Sequence, residues 1–215
     1  MARTLVVSAF EPEIAPLRRL TRGGRNLEMA TVGVGTVEAA VGTARAIAAA
    51  RADRVIFVGT AGVYPRGRLT AAIGTVSVAG KIHLVSTAAL RGDGYLPEPI
   101  VVRSDTSAAL RTALSAGVRR PLQQSDAVAC PLAITRSAKL GRQIVAATGA
   151  TLENLEAFAV ARAAAAAGIE LAVVLGVANR VGPAGHREWR THHRAASLAA
   201  CRLVARFLAT PASSR

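Results

Sequence analysis

Aromatic side chains are scarce. They make up 3% of the chain, with one Trp, two Tyr and four Phe. An interior so poor in rings has to be packed with Ala, Val and Leu, and no RNA-binding aromatic motif is present. Cysteine is nearly absent as well. Cys130 and Cys201 are far apart and lack paired metal spacing, so buried, reduced thiols are expected. Acidic residues number 13 against 27 basic ones, a formal charge of +14. Such a balance first points to nucleic acid. The Arg residues are spread through the chain rather than gathered in one run, and no recognition helix or zinc spacing accompanies them. No nucleic-acid partner is therefore expected, and a solvated, Arg-rich surface is. Long uncharged apolar runs are missing too, which argues against a membrane-spanning helix. The N-terminus enters a strand pattern directly, without a leader, so a cytoplasmic location is expected.

What is present is apolar. Hydrophobic residues make up 51% and charged residues 19% of 215. That supports a large core and one domain, residues 1–209, with a frayed tail at 210–215. Apolar runs at 4–9, 29–34, 54–58, 73–78, 127–135 and 170–178 read as strands, with 81–87 continuing or pairing with one of them. Pro131 places its run at an edge or bulge. Helical patterns follow at 10–20, 37–50, 107–114, 157–167 and 189–208. In the first of these, Pro12 sits in the opening turn, with Ile14, Leu17 and Leu20 on the inner face. The alternation predicts an α/β fold, a three-layer αβα sandwich around a central mixed, largely parallel sheet.

The stretch that organises the rest is 151–168, TLENLEAFAVARAAAAAG. Glu153 and Glu156 stand at the entrance of an Ala-rich helix that ends at Gly168. Thr151, Asn154 and the two acids can act as helix caps. Carboxylates are seldom buried without a use, so a site is the competing reading. Glu11 and Glu13 lie at the carboxyl end of the first strand, where open α/β sheets place ligands. Gly33-Val34-Gly35 precedes a helix, and Gly59-Thr60-Ala61-Gly62 closes a strand. Both are glycine turns that allow a bound group to approach the backbone, or simply tight turns. His186, His192 and His193 lack metal-ligand spacing, so no metal or cofactor is expected.

The ordered set AFEPEI, GVG followed by AA, GTAGVYP, LENLEAFAVA and ANRVG resembles the nucleoside phosphorylase and nucleosidase family over most of the chain. Within it, ENLEAFAVA, ANRVG and the downstream Trp189 are most similar to the futalosine hydrolase branch. The resemblance implies a purine nucleosidase, working as a homodimer on a small-molecule nucleoside. It assigns Glu13 to water activation, Glu156 to the ribose hydroxyls and Asn179 to the base. Thr60, Ala61, Gly62, Ile134, Asn154 and Leu155 become substrate contacts, with Leu155 standing where a methionine usually packs against the sugar. Asn179 replaces the purine-contacting aspartate of the adenine-specific branch. A 6-oxopurine offers two acceptors, N7 and O6, which suit an amide NH2. Adenine offers an acceptor and a donor, which suit a carboxyl group. Hypoxanthine is thus the expected leaving base, although Asn also favours the turn that follows a strand.

Thr75 and Phe158 depart from the family pattern: an aspartate often stands at the first position and a small residue at the second. The resemblance leaves three alternatives: a methylthioadenosine/S-adenosylhomocysteine-type nucleosidase, a phosphorylase using Arg66 and Arg68, and a silent nucleoside-binding protein with Phe158 filling the ribose pocket.

Overall fold

The computed structural model describes residues 2–21, 26–65, 72–116 and 122–210. Arg66, Arg68 and residues 211–215 of the expected tail lie outside them. In chain order the described residues form β1 (Thr4–Ser8), α1 (Glu11–Leu20), β2 (Leu27–Thr31), α2 (Thr36–Ala50), β3 (Arg54–Val63), β4 (Val76–Val85), α3 (Thr87–Arg91), β5 (Arg103–Asp105), α4 (Ala108–Ser115), β6 (Leu122–Pro131), α5 (Ala138–Thr148), β7 (Leu152–Glu153), α6 (Ala157–Ala166), β8 (Glu170–Arg180) and α7 (Gly185–Ala209).

β1 lies parallel between β2 and β3, and β8 runs parallel to β3 on its other side. β3 also pairs antiparallel with β7, β7 parallel with β6, and β6 parallel with β4. β4 returns antiparallel to β8 and carries β5 at its edge. The strands β3, β8, β4, β6 and β7 therefore close into a ring, and β1–β2 extends from it as an open wing. Helices cover both faces. Ala39 and Ile47 of α2 join Ala157, Phe158 and Val160 of α6 against Val55 and Phe57. On the other side Ile14 and Leu17 of α1, Leu110 and Leu114 of α4, and Val204 and Phe207 of α7 pack on Ile56 and Val58. Successive β3 residues thus point into opposite cores, which is why the strand reads as an unbroken apolar run.

Several expectations change. Gly59–Gly62 lies in the second half of β3 and is not a turn, because β8 pairs along it and β7 joins on the other side at Gly62. Of the two readings of the 81–87 run, continuation of the 73–78 strand holds: both belong to β4 (Val76–Val85). Pro131 ends an interior strand rather than marking an edge, because its missing N–H falls where pairing stops. β8 continues through Asn179 to Arg180. Leu20, expected inside, is 45% exposed at the last position of α1. Thr151 does not cap α6. Asn154 Oδ1 does, accepting from the Glu156 and Ala157 backbone N–H groups at 3.0 and 2.8 Å. Phe158 is buried in the core beside α2 and does not line the cavity described below.

Candidate active site

The carboxyl ends of β1, β3, β7 and β8 surround a cavity of about 330 Å³. All nine residues singled out from the sequence line it: Glu13, Thr60, Ala61, Gly62, Ile134, Asn154, Leu155, Glu156 and Asn179. Local geometry explains the convergence. Pro12 helps start α1 immediately after β1, so Glu13 falls in the first helical turn and points back over the sheet. Its neighbour Glu11 turns outward, bound by Thr31 Oγ1 and by Arg18 Nε at 3.2 Å. Along β3 the glycines admit side chains of this same chain. A Cβ on Gly59 would lie 3.3 Å from Glu13 Oε2, and one on Gly62 2.9 Å from Asn179 Nδ2. The β3–β8 register slips there, from Ala61 opposite Val177 to Gly62 opposite Asn179. This bulge aims the Asn179 amide over Gly62.

Glu13 is buried and accepts a hydrogen bond from Thr60 Oγ1, with Ser8 Oγ at 3.5 Å. Burial pushes its acid up to about 7; the Thr60 bond opposes this and the Glu156 charge adds to it. Glu156, at the start of α6, accepts from the Gly35 N–H at 2.9 Å. Burial raises its acid too, against that donor. Gly35 has φ of +89°, a conformation glycine adopts freely, and it turns its N–H toward the carboxylate. Among the described residues no ion pair reaches Glu13, Glu153 or Glu156. The cavity is therefore lined by three carboxylates, Glu13, Glu153 and Glu156, whose partners among the described residues are hydroxyl and backbone N–H donors.

Asn154 belongs to the frame of the site. Besides capping α6, it donates from Nδ2 to the Thr60 carbonyl at 3.0 Å. Asn179 Nδ2 donates to the Arg180 carbonyl at 3.0 Å, and an amide carries a second hydrogen for another acceptor. Ala61 and Leu155 contribute apolar wall, and Ile134 follows β6 at the rim.

Sequence reasoning assigned no role in the site to Ala9, Phe10, Gly185, His186 or Trp189, all of which line the cavity together with Glu153 and Val34, which it had raised only as members of the helix entrance and the Gly33-Val34-Gly35 turn. Glu153 accepts from Tyr64 Oη at 2.6 Å and from the Thr135 N–H at 3.0 Å, so it ties the segment carrying Ile134 to β7. Burial, and then the Glu153 charge, hold the Tyr64 hydroxyl protonated. His186 and Trp189 come from the first turns of α7, which Glu188 fastens to the end of β8 through Arg180 at 2.8, 3.0 and 3.2 Å. Their local signal was the Gly-His-Arg-Glu-Trp run at 185–189. The three histidines do not gather around a common point; His186 and His193 instead stack on Trp189.

Solved structures share this architecture. A 5′-methylthioadenosine/S-adenosylhomocysteine nucleosidase from Neisseria meningitidis, in complex with methylthio-immucillin-A, superposes with a TM-score of 0.83 at 19% identity, covering 97% of this chain and 99% of that one. A mutant of the Helicobacter pylori enzyme of that kind, with 5′-methylthioadenosine in its active site, gives 0.82 at 18% over 97% and 98%. Native futalosine hydrolase of Helicobacter pylori strain 26695 gives 0.82 at 17% over 95% and 96%. No curated protein matches the chain in sequence. The model of the phosphorylase superfamily matches residues 10–209, nearly the whole chain, and with the fold and cavity just described it shows that the protein belongs to the phosphorylase superfamily.

Proposed function

We propose that the protein is a purine nucleosidase that hydrolyses the N-glycosidic bond of a 6-oxopurine nucleoside of the futalosine type and releases hypoxanthine. The observation that carries this reading is the convergence of two buried carboxylates, Glu13 and Glu156, and the amide of Asn179 on one cavity. Water attacks C1′ of the ribose while the bond from C1′ to the base nitrogen breaks. Glu13 orients the water and takes its proton. An acid poised near 7 suits that task, a group of this kind being worth roughly 10²–10⁴-fold. Glu156 accepts the ribose hydroxyls and opposes the positive charge that grows on the sugar ring. The second Asn179 hydrogen meets N7 or O6 of the base as electrons move onto it. An amide there favours a 6-oxopurine over adenine, and mispairing of a buried polar edge costs up to about 10⁴-fold.

Two of the alternatives lose support from particular positions. Phe158 packs in the core and leaves the cavity open, which weakens a silent binding protein. The amide at 179 weakens an adenine-specific enzyme. A second copy of the chain completes the site in this reading. Val37 and Val41 are 72 and 53% exposed along α2, and Val34 just before it is 60% exposed and lines the cavity.

The direct test is Glu156→Gln, assayed for free base with inosine and futalosine in phosphate-free buffer. Turnover should fall at least roughly 10³-fold with the circular dichroism spectrum unchanged. Undiminished turnover removes Glu156 from the chemistry and the proposal with it. Asn179→Asp should shift preference from hypoxanthine toward adenine nucleosides.

A further inference from the structure

The cavity wall formed by α7 contains a hydrogen-bond chain that the proposed chemistry leaves unused. Trp189, the one tryptophan of the chain, donates from indole Nε1 to Thr60 Oγ1 at 3.1 Å. Thr60 Oγ1 in turn donates to Glu13 Oε1. An indole N–H only donates, and a hydroxyl has a single hydrogen. With the Thr60 oxygen accepting from Trp189, that hydrogen is directed at the carboxylate. Both ends of the relay are fixed. The Trp189 ring lies against His193, with centroids 4.4 Å apart and planes 19° apart, and against His186 at 6.1 Å and 16°. The Thr60 backbone is held through its carbonyl by Asn154.

We propose that Trp189 is a positioning residue for Glu13: by orienting and polarising the Thr60 hydroxyl it pins Oε1 and so fixes the carboxylate that acts on the attacking water. The water's identity rests on the nucleosidase reading; the relay itself does not. Ser8 Oγ lies 3.5 Å from Oε2, the limit of a hydrogen bond, and 3.4 Å from the Phe10 carbonyl. Oε2 lies beside Gly59, where a side chain would crowd it. Polarised donors strengthen one another and favour the ionised carboxylate. The relay thus works against burial and against Glu156, the two influences that raise the Glu13 acid. Among the described residues Glu13 is faced by Ser8 from β1, Thr60 from β3, Glu156 at the entrance of α6 and Cys201 from α7. The Cys201 thiol donates to the Glu13 carbonyl at 3.2 Å, and burial pushes it up to about 11, so it stays neutral while Glu13 titrates.

Trp189→Phe keeps a ring for the histidine stack and removes only the donor. Carboxyl infrared difference spectra, assigned with Glu13→Gln, read the Glu13 midpoint without turnover. It should move up by roughly half a pH unit or more, and the acid limb of kcat/KM should move with it. On a Thr60→Val background, which cuts the relay, Trp189→Phe should produce no further shift. In the unaltered protein the lone indole ¹⁵N–¹H resonance should titrate with the Glu13 midpoint, and should lose that inflection in Glu13→Gln. An unmoved midpoint in Trp189→Phe, the same shift on the Thr60→Val background, or an indole signal blind to Glu13 overturns the proposal. A protein that shows the shifts but releases no base keeps the relay and overturns the nucleosidase reading instead.

Discussion

Glu13 sits among core residues, 7% exposed, with no cation beside it among the described residues. Its acid stands at about 7, against 4.5 for the ordinary side chain, a gap worth on the order of 3 kcal/mol. Because the folded value lies above the unfolded one, the associated stability is fully present below about pH 4.5 and is lost as pH rises through about 7. Glu13→Gln removes the ionisation. It should melt at the same temperature as the parent near pH 4 and several degrees higher at pH 8. Thermal melts at the two values check this; an equal difference at both would mean that Glu13 is not a buried, ionising acid. Gly59→Ala tests the same side chain by volume. The new Cβ would press on Glu13 Oε2 at 3.3 Å and on Phe57 Cζ at 3.4 Å, displacing the carboxylate. kcat should fall by up to about 10²-fold with KM little changed, as steady-state kinetics would show.

At the scale of elements, the site depends on how strands end and helices begin. Asn154 bridges two of them, capping α6 and holding β3. Asn154→Ala should cost about 2 kcal/mol, the upper end of a lost cap, because the Thr60 carbonyl loses its partner as well. The midpoint of urea unfolding measures it. Gly176 marks where β8 meets α7. A Cβ there would fall 2.2 Å from the Ala196 carbonyl oxygen, so Gly176→Ala should separate the two elements and leave little folded protein.

The sequence exposed these junctions unevenly. β1, β8 and the inward face of α1 at Ile14 and Leu17 were legible because burial on both faces, or on one helical stripe, leaves a direct pattern. Gly59–Gly62 was misread because clustered glycines signal a turn; their actual work is to make room for Glu13 and Asn179, contacts distant in sequence. Helix α5 went unread. Gly141 interrupts its apolar spacing where Tyr64 packs against it. β7 has two residues, too few for any periodicity to register. Trp189 was noticed only as a family mark, since nothing in a linear chain shows that its indole reaches residue 60.

At the scale of the whole molecule, the family resemblance, the closed ring of strands and the cavity at its rim agree with one another. No helix among the described residues is long and apolar enough to cross a membrane. In the proposed reading a second copy sits on the exposed valines at the start of α2. Light scattering coupled to size exclusion should give twice the chain mass, and Val37→Glu should shift it to one and raise KM, because the pocket rim loses its cover.

The account stands on one chemical claim, that acids from separate strand–helix junctions cleave a nucleoside whose base is read by an amide. Its most direct measurement is the identity of the free base released by the unaltered protein in phosphate-free buffer. Hypoxanthine from futalosine, with no sugar phosphate formed when phosphate is added and little adenine from methylthioadenosine, is the result expected. Adenine as the preferred product, release only with phosphate, or no base at all would contradict it.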